Sequence, residues 1–135
     1  MLSYSFLLDR LPDPGDLRRT VSDVFAVNPA AVHVGRLYED AGGPPATVSC
    51  TYIDLDGGEF PWRLDIGADD TVTGPSEAET AAALCRRFGV RALLSSDESS
   101  DEWWRLITAE DDHLVAIDLD QLDEDRFVLT GQSQT

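Results

Sequence analysis

The sequence predicts one α+β domain in which two helices pack on a mainly antiparallel sheet, in the order β-α-β-β-β-α-β-β-β(-β). Three observations indicate this fold: short strands come in groups of three joined by tight turns, two helical segments begin with capping residues, and the apolar positions follow strand or helix periods. A chain of 135 residues with 42% hydrophobic residues suits a single domain with its own core. We expect the domain to cover residues 1–130 and residues 131–135 to fray.

The first third of the chain is predicted to form a strand, a helix and a second strand. Residues 3–8 alternate in the manner of a strand. A helix then begins at Asp13, which can cap it, with Pro14 in the first turn, and it is expected to end at the Asn-Pro pair 28–29. A second strand is predicted over 32–37. The helix carries one apolar stripe, formed by Leu17, Val21, Val24 and Phe25.

The middle of the chain contains the clearest hairpin. Two β-rich runs, 47–55 and 60–66, are separated by the turn sequence Asp-Gly-Gly at 56–58. Pro61 lacks a backbone N–H, so this strand should begin at a sheet edge or pair on one side there. On the 60–66 strand of this hairpin, the side chains expected on one face are Phe60, Trp62, Leu64 and Ile66.

A second helix follows a capping box, in which Ser76 and Glu79 each satisfy a free N–H of the first turn. It should end at Phe88, because Gly89 is suited to the left-handed conformation after a helix. Its inner face is predicted to carry Ala81, Leu84, Cys85 and Phe88.

The last third of the chain is predicted to be all strand. Residues 90–95, 103–108 and 113–119 form three strands, with a polar turn at 109–112 between the last two. A short final strand is expected over 126–129.

The charge of the chain carries the strongest functional signal. Twenty-six acidic residues face ten arginines and no lysine, which gives a net charge of −16. Residues 92–135 contain twelve acidic and two basic residues, so this last third alone carries −10. Such a field repels nucleic acid and anionic membranes and speeds association with basic partners. Acidic surfaces also keep proteins soluble, and the charge by itself leaves that simpler explanation open.

Nothing in the sequence indicates a disulfide framework, a cofactor or a metal site. Cys50 and Cys85 are too few for a scaffold and match no metal-binding spacing. Residues 54–59 resemble a calcium loop, but Glu59 stands where that loop needs glycine and Asp65 where it needs glutamate. The chain starts without the features of a signal peptide and has no membrane-spanning apolar run, so we expect a cytoplasmic protein.

No catalytic signature is present, and we predict no catalytic residues. The sequence lacks Gly-x-Ser-x-Gly, Cys-x-x-Cys and a phosphate-binding glycine loop. Cys50 and His33 could lie on neighbouring strands, but nothing in the sequence activates the thiol. An enzyme or small-ligand binder with a pocket between sheet and helices is one alternative.

Two adjacent tryptophans beside acidic residues are a more informative sign of function than the candidate catalytic residues. Trp103 and Trp104 follow Asp101 and Glu102, and on a strand the two indoles point to opposite faces. One can join the core, and the other must meet solvent, a helix or a partner. Exposed aromatic residues ringed by charge are typical of binding hot spots. The alternative is that both faces of the sheet are covered.

The chain also resembles a known class of protein in its general build. The resemblance rests on Gly57-Gly58-Glu59-Phe60-Pro61-Trp62, then a capped helix, then Ser96-Asp97-Glu98 leading into Trp103-Trp104-Arg105-Leu106-Ile107 and the acidic hairpin. In size, acidity, element order and late tryptophans, this is similar to the small immunity proteins of bacterial polymorphic-toxin systems. The resemblance implies stoichiometric inhibition of a toxin, with acidic groups covering a basic active-site or substrate groove. No family-specific motif is matched, so no functional residue is carried over.

The leading hypothesis is therefore a non-catalytic, acidic binding protein, an immunity or antitoxin protein with a basic toxin domain as its partner. A structural or regulatory homodimer is the main alternative. The predicted partner-binding residues are Asp97, Glu98, Asp101, Glu102, Trp104, Glu110, Asp111 and Asp112.

Overall fold

The computed structural model describes residues 2–36, 47–96 and 103–134. Their elements, in chain order, are β1 (Leu2–Leu8), α1 (Pro14–Phe25), a 3-10 turn (Pro29–Ala31), β2 (Val32–Arg36), β3 (Val48–Asp54), β4 (Trp62–Ala68), α2 (Glu77–Phe88), β5 (Ala92–Ser95), β6 (Trp103–Ile107), β7 (Asp112–Ile117), α3 (Leu119–Leu122) and β8 (Leu129–Gln134).

The strands in these ranges form one sheet of eight, in the order β2-β3-β4-β1-β5-β6-β7-β8. Only β2 and β3 are parallel; every other neighbouring pair runs antiparallel. The predicted α+β class and the mainly antiparallel sheet are confirmed. The parallel pair β2–β3 follows from the connections. Strands β1 and β3 are both antiparallel to β4, so they run in the same direction. Helix α1 joins β1 to β2, which lies three positions away in the sheet, and such a crossover makes β2 parallel to β1 and hence to β3.

Helix α1 begins as predicted and ends earlier. The Asp13 carboxylate accepts hydrogen bonds from two backbone N–H groups of the first turn, and Pro14 is the first helical residue. The helix stops at Phe25, because Ala26 adopts a left-handed conformation with φ 54° and ψ 45°. The Asn28 side chain instead caps the short 3-10 turn.

Helix α2 has both predicted ends. Ser76 and Glu79 form the complete capping box, and Gly89 ends the helix at φ 67°. The first turn contains acidic residues, and the last turn contains Arg86 and Arg87. Charges in this arrangement interact favourably with the helix dipole.

The β3–β4 hairpin forms as predicted, but Phe60 does not belong to its second strand. Strand β4 begins at Trp62, and its Leu64 and Ile66 face the helices. Phe60 lies in the preceding loop and is fully buried against Leu7 and Leu93 on the opposite face of the sheet. The prediction that Phe60 shares a face with Leu64 and Ile66 was wrong, because the loop folds back over the sheet instead of continuing the strand.

The sheet has two differently covered faces. Helices α1 and α2 cover one face, where the main core contains Phe6, Leu8, Leu17, Val21, Leu64, Ile66, Ala81 and Leu84. We call the opposite face the far face. Its smaller core contains Leu7, Phe60, Leu93, Leu106, Val115 and Ile117.

The chain after β7 departs from the sequence prediction. Asp118 caps a one-turn helix, α3, so the strand expected over 113–119 ends at Ile117. The final strand is β8, which begins at Leu129 and includes backbone of the segment that we expected to fray. The exposed edge of β7 supplies hydrogen-bond partners to β8, and this pairing orders a polar stretch with no strand pattern of its own.

Candidate functional site

The far face is closed on one side by two chain segments that meet each other. The backbone N–H groups of Glu59 and Phe60 donate to the Phe127 carbonyl at 2.8 and 3.3 Å. The Glu59 carboxylate in turn accepts from the Leu129 N–H at 3.0 Å. The close approach requires glycine at position 58, where a Cβ would lie 2.9 Å from the Phe127 nitrogen. The hairpin loop and the segment before β8 thus form one wall.

A cavity of about 270 Å³ lies beside this wall. Strands β1 and β5 pair only through Leu7 with Leu93 and Leu8 with Ala92. Closer to the start of β1, the Ser5 N–H donates to the Glu77 carboxylate at 3.1 Å, so the two strands are no longer joined there. The cavity is lined by Ser5, Phe6, Leu7, Arg63, Ser95, Trp104 and Phe127.

Trp104 is half-buried and forms part of the cavity wall. It pairs across the sheet with Ser95 on one side and Val115 on the other, which places it on the far face. Its ring contacts that of Phe127 edge-on, with 5.3 Å between the ring centroids. Trp103 points to the other face, as the strand alternation predicts.

Arg63 supplies the positive charge of the cavity. Its Nη2 lies 3.3 Å from Asp65, whose other carboxylate oxygen accepts from the Ser5 hydroxyl at 2.7 Å. The Arg63 Nε is buried and has no hydrogen-bond acceptor in the described part of the chain. One donor of this guanidinium is therefore unsatisfied among the described residues.

The acidic hairpin at 109–112 carries three of the predicted partner-binding residues. Glu110 and Asp111 are exposed, and Asp111 lies 2.9 Å from His113 Nδ1. Asp112 forms a two-point ion pair with Arg105. Asp112 pairs in register with Ile107 of the helix-covered face, so it lies on the face opposite Trp104. The structure does not bring these acids together with Trp104.

A second acidic segment follows β7, and we call residues 118–125 the acidic turn. Asp118 caps α3, and Glu124 pairs with Arg126 at 3.0 Å. No arginine in the described ranges pairs with the remaining three acids, which are exposed: Asp120, Asp123 and Asp125. Leu119, the one large hydrophobic residue of the described ranges with a substantially exposed side chain, lies among them at 46% exposure.

The two acidic segments lie at opposite ends of β7. Five strand residues, 113–117, lie between them, which places Asp112 and Asp118 about 20 Å apart along the strand. Trp103 pairs with Ala116, so the start of β6 lies at the same end of the sheet as the acidic turn. The other four predicted partner-binding residues, Asp97, Glu98, Asp101 and Glu102, lie outside the described residues.

Cys50 and His33 lie on neighbouring strands, as the sequence analysis considered, but their side chains point to opposite faces of the sheet. Val34, not His33, pairs with Cys50 across the two strands, so the thiol faces the helices and the imidazole the far face. Burial and the nearby Asp65 carboxylate raise the pKa of Cys50 to about 12. Burial and Asp9 raise the pKa of Cys85 to about 11. Both thiols are therefore poor nucleophiles at neutral pH.

Neither a metal cluster nor a membrane helix is found where the structure is described. No three histidine, cysteine or acidic side chains of these ranges come together as metal ligands. No helix within them is long and apolar enough to cross a bilayer. Comparisons with protein-family models, curated proteins and solved structures gave no match.

The sequence singled out Trp104 but missed the other cavity residues. Ser5, Arg63 and Ser95 look like ordinary outward-facing positions of alternating strands. Phe127, in the predicted final strand, carries no local signal for its contact with the Asp-Gly-Gly turn about 70 residues earlier. Of these features, only the adjacent glycines Gly57 and Gly58 indicate a close backbone approach.

Proposed function

We propose that this chain is a non-catalytic protein that binds a basic protein partner through acidic groups near its C-terminal end. The observation that carries the proposal is the acidic turn, where Asp120, Asp123 and Asp125 are exposed without an arginine partner from the described ranges. A net charge of −16 adds a long-range attraction for cationic proteins.

The exposed Leu119 supports the same surface. Charged groups mainly speed association, whereas an apolar contact that is buried on binding slows release. An apolar side chain at 46% exposure, among carboxylates with no arginine partner in the described residues, combines both features.

The proposal revises the predicted surface. The acidic hairpin lies at the other end of β7, and two of its acidic side chains already have partners in Arg105 and His113. We therefore assign the first contact with the partner to the acidic turn. Asp97, Glu98, Asp101 and Glu102 contribute to the proposal through their charge and their position in the sequence.

The narrower form of the proposal is that the partner is a toxin and this chain its immunity protein. It rests on the resemblance in size, acidity and element order. A nucleic-acid-processing toxin needs a basic groove, and exposed carboxylates can occupy it in place of phosphates. Co-expression with the product of any basic, toxin-like reading frame immediately upstream tests the narrower form, since neutralisation requires the two proteins to associate.

The binding proposal is tested by partner capture followed by kinetics. Capture from native lysate at low and high salt identifies salt-sensitive basic proteins, and stopped-flow mixing then measures their association rate. The Asp120→Arg/Asp123→Arg variant should lower the association rate about tenfold and flatten its salt dependence. Leu119→Ala should instead raise the dissociation rate.

Two matched variants separate the acidic surfaces. Glu110→Arg changes the same type of charge at the opposite end of β7 and should have a smaller effect than either reversal in the acidic turn. Asp101→Arg/Glu102→Arg tests the acids that precede Trp103. If both double variants associate with the partner at the rate of the unmodified protein, acidic steering is not how this chain recognises it.

A further inference from the structure

The cavity on the far face has the size of a small-molecule site. Its volume of about 270 Å³ exceeds the roughly 150 Å³ that holds one benzene ring in a protein interior. A single six-membered ring with a short substituent fills such a space. Trp104 and Phe127 provide aromatic surface for the ring.

The polar groups of the cavity favour an acceptor on that ligand. Arg63 lines the cavity, and its buried Nε donor has no acceptor in the ranges that the structure describes. The Arg63 side chain is 39% exposed, so guanidinium N–H groups other than the buried Nε are the ones that can donate to an acceptor on a ligand. Arginine is especially suited to carboxylates, because two of its N–H groups can meet both oxygens.

The charge of the whole chain limits the ligand to a low negative charge. Against a net charge of −16, each further negative charge on a ligand raises its repulsion. Arg63 is paired with Asp65, so one neighbouring carboxylate already offsets part of its charge. A monocarboxylate therefore suits the cavity better than a phosphate, and the guanidinium repels cations.

We propose that this cavity binds a small monocarboxylate with one aromatic ring, held by Arg63 and packed against the Trp104–Phe127 pair that lines it. The ring lies in the space beside the separation of β1 and β5, and the carboxylate accepts from the Arg63 guanidinium. The site is separate from the acidic turn, and its existence does not depend on a protein partner.

Binding to the full chain can be tested by titrating benzoate and monitoring the amide chemical shifts in solution. Saturable shifts are expected at Ser5, Leu7 and Ser95. Benzyl alcohol keeps the ring without the charge, acetate keeps the charge without the ring, and both should bind at least about tenfold more weakly than benzoate. Phenyl phosphate should also bind more weakly.

Three variants assign the contacts. Arg63→Met should weaken benzoate about tenfold and leave benzyl alcohol unchanged, whereas Arg19→Met removes the same charge from the exposed surface of α1 and should change neither. Ser95→Phe should fill the cavity and abolish binding of both probes in a protein whose spectrum remains dispersed. It replaces an exposed residue, so it keeps the test valid if larger changes at Trp104 unfold the chain.

Three results would overturn the proposal. The first is no saturable shift with benzoate up to about 10 mM, which corresponds to negligible affinity. The second is equal benzoate affinity in Arg63→Met and Arg19→Met. The third is tighter binding of phenyl phosphate, which would overturn the monocarboxylate class.

Discussion

The indole of Trp104 meets the ring of Phe127 edge-on, with the ring planes at 71° and the centroids 5.3 Å apart. The contact joins β6 to the segment before β8. That segment also accepts two hydrogen bonds from the β3–β4 loop. One aromatic pair therefore connects three distant parts of the chain and forms one end of the cavity.

The energy of this aromatic contact can be measured with a double-mutant cycle. Trp104→Ala and Phe127→Ala should each destabilise the protein, with a coupling of about 1 kcal/mol between them in urea unfolding. Trp62 contacts Tyr52 at 6.0 Å on the other face, so Trp62→Ala and Phe127→Ala should be additive. A coupling near zero for the first pair would show that the rings stabilise the fold independently.

Gly58 should tolerate substitution poorly. Its φ is +86°, and a Cβ there would lie 2.9 Å from the Phe127 nitrogen and 3.1 Å from the Phe127 carbonyl oxygen. We expect Gly58→Ala to lower the free energy of unfolding by more than about 2 kcal/mol. Gly89→Ala is the matched control, because φ is +67° but no atom lies within 4 Å; it should cost about 1 kcal/mol. Equal losses would mean that the loop does not dock on Phe127.

Ala26 offers a stabilising change. It ends α1 in the left-handed conformation at φ 54°, which glycine adopts without a Cβ penalty. Ala26→Gly should raise the free energy of unfolding by about 1 kcal/mol in chemical denaturation. Ala82→Gly makes the same replacement inside α2 and should lower it by about 1 kcal/mol. A loss of stability at position 26 would contradict the assigned helix end.

The two buried thiols predict a loss of stability at high pH. The folded pKa values are about 12 for Cys50 and about 11 for Cys85, above the ordinary value of 9.0. The unfolded chain therefore releases these protons first, so stability is full below pH 9 and falls as the pH rises from 9 towards 11. The slope should approach about 1.4 kcal/mol per pH unit for each thiol.

Urea unfolding at a series of pH values from 8 to about 10.5 checks this dependence. Replacing Cys50 and Cys85 with alanine should flatten it, even though the variant is less stable at neutral pH. A thiol reagent at neutral pH should react with the native protein only as fast as the protein opens. An unchanged alkaline slope in the double variant would assign the pH dependence to other groups.

Local rules were sufficient for most of the fold. The Ser76–Glu79 capping box, the Asp13 cap and the Asp-Gly-Gly hairpin act within a few residues, and all three formed where the sequence predicted them. The errors fall where a distant segment competes with the local pattern. Phe60 has strand-like neighbours, but its backbone N–H donates to the Phe127 carbonyl, and this long-range bond holds it in a loop.

The sequence by itself determined the α+β class, the ends of α2, the opposite orientation of the two adjacent tryptophans and the large negative charge. These follow from side-chain period, capping chemistry and composition, which need no knowledge of distant contacts. Tertiary structure alone decided that Cys50 and His33 face apart, that the acidic hairpin and acidic turn lie at opposite ends of β7, and that Arg63 and Trp104 share a cavity. Strand order and register decide such relationships, and they depend on pairings between residues far apart in the chain.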